Sequence, residues 1–511
     1  MPNRPNRLLL LVTLLATALA GAVAADEPAA KPGAGKDRLV ETNHTVTLNG
    51  NKLEYTATAG TLPLRNDEGK VTARVFFVAY TKTGVTDASV RPITFAFNGG
   101  PGSSAVWLHL GGLGPRRVQL GPDGELPPPP FRLADNPWTI LDMTDLVFID
   151  PVSTGFSRAE DEKDAKQFHG VQPDLEAVGE FIRLYLTRFQ RWGSPKFLAG
   201  ESYGSTRAAG LAGYLHERHG IDLNGVILIS AVLNFQTIRF DEGNDLPYVL
   251  FLPAYTATAW YHKKLPPELQ GDLRSALAAA EQFAVAEYSV ALLKGGQLTA
   301  DEQRQIARKL ARFTGLSEDY ILRANLRIGA QRFMKELLRS ARRTVGRFDS
   351  RFTGTDSDAV GEVMEYDASY AAVQGPYTAA LNQYIRGELK YESDLPYEIL
   401  TGKVQPWDYG AARNRYLNMT RSLRLALVQN PHLRVFVASG YYDLATPYFA
   451  MDYTIRHLGL DPSQRDRVTT AYYEAGHMMY IHQPSQEKLK RDLAAFIASS
   501  VPHLRPTTGG R

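Results

Sequence analysis

Lys196-Phe197-Leu198-Ala199-Gly200-Glu201-Ser202-Tyr203-Gly204 decides how this chain is read. A short apolar run breaks at a glycine, a serine follows two residues later, and a second glycine closes the segment. From Tyr203 to His219 the spacing predicts a helix. A strand feeding directly into a helix needs a turn so tight that only small residues fit beside the serine. The Ser202 hydroxyl would then stand at the C-terminal end of the strand, beside the helix N-terminus, where a nucleophile is placed. G-x-S-x-G alone is a weak pattern that an ordinary strand-to-helix turn can share. The flanking strand and helix are what favour the nucleophile.

The same alternation continues on both sides. Pro92-Ile93-Thr94-Phe95-Ala96-Phe97 reads as a buried strand that stops at Asn98-Gly99-Gly100-Pro101-Gly102, and Leu146 to Ile149 as another that stops at Asp150-Pro151. Asp174 to Trp192 has helical spacing. Val226 to Ile229, Leu433 to Ala438 and Val468 to Tyr473 are further strands, and Gln483 to Ala498 a closing helix. Short apolar strands separated by helices argue for a mostly parallel, twisted sheet flanked by helices on both faces. Ahead of them, residues 44–59 and 71–80 read as an antiparallel meander, with Asn49-Gly50 as a hairpin turn. After about Asp241 the composition changes. Pro266 to Leu293, Thr299 to Phe313 and Ser317 to Arg343 are helix-rich, and Asp349 to Gly402 is polar and aromatic, with tyrosine-rich patches.

Two more segments complete a chemistry. Asp443 follows the strand 433–438, and His477 follows the strand 468–473. Taken alone, Asp443 could be a turn residue and His477 a structural histidine. In chain order, however, Ser202, Asp443 and His477 follow the serine–acid–histidine sequence of α/β-hydrolases, each at a strand end. The long gap before Asp443 is the helical insertion. The fold expected is therefore an α/β-hydrolase fold with a mainly helical cap. Its divisions are a first core part at 26–240, a cap at 241–404 and a second core part at 405–511. In such a triad His477 takes the Ser202 proton and Asp443 fixes the histidine tautomer. The oxyanion needs two backbone N–H donors. Tyr203 follows the nucleophile, and the glycine turn 98–102 is the candidate for the second.

Together these segments resemble the serine carboxypeptidase family. Asn98-Gly99-Gly100-Pro101-Gly102-Ser103-Ser104 resembles its N-G-G-P-G-x-S motif, and Pro151-Val152-Ser153-Thr154-Gly155-Phe156-Ser157 its P-V-x-x-G-F-S segment. Gly200-Glu201-Ser202-Tyr203-Gly204 resembles its elbow, and Ala475-Gly476-His477-Met478 its histidine segment. The resemblance implies Gly100 and Tyr203 as the oxyanion N–H donors. It implies Asn98, the Gly99 N–H and Glu201 as ligands of the substrate's terminal carboxylate, and Met478 as part of the leaving-residue pocket. A carboxylate facing Glu201 requires a shared proton, which favours mildly acidic operation. The chain also departs from the family. Ser103 and Ala96 replace a customary cysteine and tryptophan. The position of a second supporting glutamate is Gly112. That loss leaves the triad intact but questions C-terminal specificity.

Composition bounds the rest. The chain has 511 residues, 57 basic and 54 acidic side chains, and no cysteine. A net charge of +3 gives no footprint for nucleic acid, and zero cysteine excludes disulfides and thiolate metal sites. His216 with His219, and His477 with His482, lack any accompanying zinc motif, so neither a metal nor another cofactor is expected. Arg4 and Arg7, the apolar run Leu8 to Ala20 and Ala22-Val23-Ala24 read as a signal peptide over residues 1–25. The run is short of the roughly 20 residues a membrane span needs. No membrane anchor is expected after its removal. The chain is expected to be exported, periplasmic or secreted, and of bacterial type, because a large eukaryotic secreted enzyme usually carries disulfides. The expected activity is a serine-type carboxypeptidase acting on peptides through an acyl-enzyme. An esterase or acyltransferase with the same triad, and an inactive envelope binding protein, are the alternatives.

Overall fold

The computed structural model describes residues 38–501. The expected signal peptide lies outside the described residues. One sheet organises the chain, with nine main strands: β1 (Leu39–Leu48), β2 (Asn51–Arg65), β3 (Val71–Lys82), β4 (Ile93–Phe97), β5 (Asp145–Ile149), β6 (Lys196–Glu201), β7 (Gly225–Ile229), β8 (Arg434–Gly440) and β9 (Val468–Tyr473). Their spatial order is β1-β2-β3-β5-β4-β6-β7-β8-β9, and a two-residue strand, Arg158–Ala159, pairs with β3. β1, β2, β3 and β5 pair antiparallel, whereas every pair from β5 to β9 is parallel. The β1–β2 turn is Asn49-Gly50, both at positive φ (49° and 81°), as a two-residue hairpin demands.

The parallel strands are short and apolar because both their faces are covered. Alternation splits the core accordingly. Phe76, Val78 and Tyr80 of β3 enter one hydrophobic cluster, while Val75, Phe77 and Ala79 enter the other. Helices α1 (Val171–Arg188) and α2 (Tyr203–His219) cover the second face. α2 ends at Gly220, whose φ of 64° provides the left-handed cap.

Between β7 and β8 the chain is mainly helical, beginning with α3 (Leu246–Tyr261). α3 and the following helices through Ala330–Glu336 bury a third cluster, which also takes in Tyr441, Tyr442 and Leu444 beside Asp443. Two details differ from the sequence reading. Residues 317–343 form short helices, Glu318–Arg323 and Ala330–Glu336, because Asn325 and Leu326 turn left-handed between them (φ 50° and 63°). The polar, aromatic segment 349–402, placed with the cap, contains a helix, Ala368–Gly387. Its Tyr377, Leu381 and Tyr384 pack in the sheet's first cluster rather than with the other inserted helices. Gly375 and Pro376 in its middle and its many tyrosines hide the helical period.

One buried ion pair ties the layers together. The Arg207 guanidinium on α2 donates to Asp174 of α1 through Nε (2.7 Å) and Nη2 (3.1 Å), and through Nη1 to the Asn98 carbonyl at the end of β4 (2.6 Å). Its side chain is 1% exposed and lies between the rings of Phe97 and Tyr203. Burial pushes the Asp174 carboxyl up even against the neighbouring guanidinium. Arginine stays charged, so removing its partner strands a cation in the core. Asp174→Ala should therefore lower the unfolding free energy by about 3–5 kcal/mol in denaturant titration. A loss below about 1 kcal/mol would show that the pair does not brace the layers.

Candidate active site

The serine sits in a strained turn enforced by its neighbours. Ser202 has φ 59° and ψ −128° and caps α2, and its N–H donates to the Ile229 carbonyl of β7 (3.0 Å). A Cβ at Gly200 would lie 2.1 Å from the Gly204 carbonyl oxygen, and one at Gly204 would lie 2.7 Å from the Phe97 carbonyl oxygen. The small residues flanking Ser202 are thus a steric requirement, as expected of this elbow. A backbone held in so sparsely populated a region marks a site over-determined by its surroundings.

The acid and the histidine meet from separate loops. His477 Nδ1 is 2.7 Å from Asp443 Oδ2, and Asp443 is fully buried. Asp443 Oδ1 accepts the N–H groups of Ala445 (2.7 Å) and Thr446 (2.9 Å), and the Thr446 hydroxyl lies 2.8 Å from Oδ2. This carboxylate is therefore held as an acceptor on all sides. Burial pulls the His477 pKa down, but the adjoining Asp443 carboxylate outweighs it and leaves the pKa raised. The His477 N–H donates to the Phe348 carbonyl (2.6 Å), Ser230 Oγ donates to the His477 carbonyl (2.6 Å), and the Gly476 N–H reaches Asp349 Oδ2 (2.9 Å).

The glycine turn packs directly on the elbow. A Cβ at Gly99 would lie 2.4 Å from the Tyr203 nitrogen, and Gly100 has φ 99°. Gly100, Ser202 and Tyr203 line one cavity. The Tyr203 hydroxyl accepts from Trp407 Nε1 (3.1 Å), which fixes that ring.

Glu201 and Asn98 are brought together under the elbow. Glu201 is buried, and burial pushes its pKa up to about 7 against the opposing effects of His477 and Tyr480. Asn98 Oδ1 accepts the Leu108 N–H (3.1 Å), whereas its buried Nδ2 faces the Glu201 carboxyl and the Tyr480 hydroxyl, close enough to lower the Glu201 pKa but without a well-aligned hydrogen bond. A buried amide donor so poorly aligned with its neighbours can still take a ligand acceptor. Met478 packs in the sheet's first hydrophobic cluster beside Met479 and Tyr480. Of the other histidines considered, His216 pairs with exposed Asp222 (2.8 Å) and His482 with Ser485 (2.8 Å). The described residues hold no group of three or more possible metal ligands.

Sequence reasoning missed Tyr480. Its ring lies over Gly112, where an added Cβ would be 3.2 Å away, and its hydroxyl donates to Glu201 Oε2 at 2.7 Å. Tyr480 thus occupies the space above the glycine that stands where the resemblance implied a second acid. Gly112 itself lies in a buried π-helix, Leu108–Leu113. The only sequence signal was a tyrosine three residues after His477. Thr446, three residues after Asp443, was missed in the same way.

Comparison with known proteins agrees with this geometry. The serine carboxypeptidase family model matches residues 51–489. A serine carboxypeptidase-like protein of Arabidopsis thaliana is 31% identical over 173 residues, which is 33% of each chain. A pheromone-processing carboxypeptidase of Coprinopsis cinerea is 31% identical over 152 residues, covering 28% of this chain and 23% of that one. The aligned stretch thus spans a third or less of the length of these curated relatives. The solved structure of a prohormone-processing carboxypeptidase from Saccharomyces cerevisiae shares the fold, with a TM-score of 0.53 and 17% identity over 86% of this chain and 91% of that one. The family match runs from the antiparallel meander to the last helix and takes in the elbow, the glycine turn and both triad loops: the chain belongs to the serine carboxypeptidase family.

Proposed function

We propose that this protein is an exported serine carboxypeptidase that releases C-terminal residues from peptides. The observation that carries this reading is the pairing, beside Ser202, of a buried carboxyl raised to about 7 with the buried Asn98 amide, a donor that faces it without a well-aligned hydrogen bond. An ester-cleaving site has no need of such a pair. A site for a terminal carboxylate needs both a donor and a proton to share.

Ser202 attacks the scissile carbonyl while His477 Nε2 takes its proton, and Asp443 stabilises the imidazolium. The N–H groups of Gly100 and Tyr203 donate hydrogen bonds to the developing oxyanion. The carbon–nitrogen bond breaks as His477 returns the proton to the leaving amine. Water, activated by the same histidine, then releases the peptide acid from Ser202. The terminal carboxylate binds Asn98 Nδ2, the Gly99 N–H and protonated Glu201, with Met478 against the leaving side chain. Tyr480 takes the supporting part of the absent second acid, holding Glu201 toward the substrate. The insertion at 241–404 covers the site and limits access to small substrates. Export rests on the apolar run and cleavage pattern of residues 1–25.

The decisive comparison is a peptide against its C-terminal amide. The free acid should be cleaved with the higher kcat/KM, and Ser202→Ala should lower kcat by roughly 10⁴–10⁶-fold and abolish fluorophosphonate labelling. Equal cleavage of amide and acid, or unlabelled Ser202 in the folded protein, would sink the reading.

A pH profile tests Glu201. Its carboxyl is neutral below about pH 7 and ionises above it, so KM for free-acid peptides should climb as pH rises through that value. Glu201→Gln should flatten the climb, and amide substrates should not show it. A mutant profile that matches the parent removes Glu201 from carboxylate recognition.

Tyr480→Phe removes a hydroxyl that lowers the Glu201 pKa while keeping the ring over Gly112. KM for free acids should rise about tenfold, and the alkaline decline should move to higher pH. A fixed midpoint would mean that Tyr480 only packs.

A further inference from the structure

A cavity of about 490 Å³ opens at Ser202 and is shared with Gly100 and Tyr203, whereas Asn98, Glu201, Met478 and Tyr480 do not line it. On the carboxypeptidase reading, on which this inference rests, those four residues receive the leaving amino acid. The cavity therefore receives the acyl side, the residue whose carbonyl Ser202 attacks.

Phe235, Phe240 and Phe251 give this cavity apolar walls. Four arginines also line it, against one carboxylate, Glu362. Two of the cations are spoken for. Arg327 forms a fork on Asp245 (2.6 and 2.7 Å), and Arg332 pairs with Glu362 (3.0 Å). Arg239 and Arg347 pair with no carboxylate among the described residues. Each instead lies over an aromatic face, Arg239 at 5.9 Å from the Phe235 centroid and Arg347 at 5.2 Å from that of Phe348. A guanidinium stacked in this way keeps its in-plane N–H donors free for an anion. Arg347 is also close to the reacting centre, since the next residue, Phe348, accepts the His477 N–H.

We propose that this cavity selects an acidic residue on the acyl side of the scissile bond, with Arg347 and Arg239 receiving its carboxylate and the phenylalanine walls its methylene stem. A lysine or arginine there meets two unneutralised cations and is rejected by like charge.

The test uses the full chain and acetylated peptides that end in Phe and differ only in the preceding residue: Glu, Gln, Leu or Lys. Phenylalanine release gives kcat/KM for each at low and high salt. The Glu peptide should exceed its neutral isostere Gln by about tenfold, and Lys should rank last. The Glu/Gln ratio should shrink in high salt. It should also collapse toward one in the Arg239→Gln, Arg347→Gln double variant, and Arg347→Glu should move the preference toward Lys. Cleavage of all four peptides with Glu no better than Gln, or a Glu/Gln ratio unmoved in the double variant, overturns the acidic preference and leaves the carboxypeptidase reading standing. Release of Phe from none of them overturns both.

Discussion

The site depends on the Arg207 guanidinium. It is buried on the elbow helix, forked onto Asp174 of α1, and bonded to the carbonyl of Asn98. Asn98 opens the glycine turn whose Gly99 lies against the Tyr203 nitrogen with no room for a Cβ. One cation thus sets the spacing between the glycine turn and the elbow, the two backbone segments proposed to present N–H groups to the same oxygen. Oxyanion stabilisation depends on that spacing being fixed before the charge develops. A desolvated guanidinium is costly, and a buried ion pair is weak evidence for stability. Its use here is geometric. Five donors in a fixed plane reach three oxygens on two elements, which a lysine could not do.

A second constraint lies on the other side of the elbow. Glu201, Asn98 and Tyr480 form a buried polar group there, within reach of His477 and Asp443. Tyr480 is wholly buried, and its ring excludes any side chain larger than glycine at 112 without adjustment. Two acids sharing a proton would titrate as a coupled pair. One acid with a phenol donor does not, because the phenol keeps its proton across the working range. With Tyr480 rather than a second acid against it, the Glu201 carboxyl titrates singly, its pKa raised mainly by burial.

What was legible in the sequence was what local sterics dictate. Gly200 is required by backbone contacts of 2–3 Å with Gly204 and Ser205, so that side of the elbow is written in neighbouring letters, whereas Gly204 is held small by the distant Phe97 and Asn98. The parallel strands are short apolar runs because both faces are covered, and the triad residues follow directly from their ends. The features that escaped are set by distant partners. Tyr480 reaches Glu201 across 279 residues, and Arg207 reaches Asn98 across 109. The helix Ala368–Gly387 draws its stability from packing against Trp107 and the β3 face, so its own periodicity is faint. The charge of the cavity at Ser202 could not be read either. Its arginines come from separate segments, and only the pairings with Asp245 and Glu362 reveal which cations are left.

The chain has no cysteine, so another device must hold the acid and histidine loops together. Residues 347–350 do this with backbone groups. The Arg347 carbonyl accepts the Leu444 N–H (3.0 Å), the Phe348 carbonyl accepts the His477 N–H (2.6 Å), and the Ser350 N–H donates to the Tyr442 carbonyl (3.0 Å). The Asp349 carboxylate adds the Gly476 N–H and is itself held by Arg351 (2.7 Å). One short strap from the insertion thus clamps both triad loops, and it needs only main-chain atoms at position 347 to do so. The Arg347 side chain is therefore free of the clamp. Its charge still lowers the His477 pKa, so the side chain is free of the clamp but not of the histidine's electrostatics. That separation follows from stapling with main-chain hydrogen bonds, whose geometry does not depend on the side chain carried.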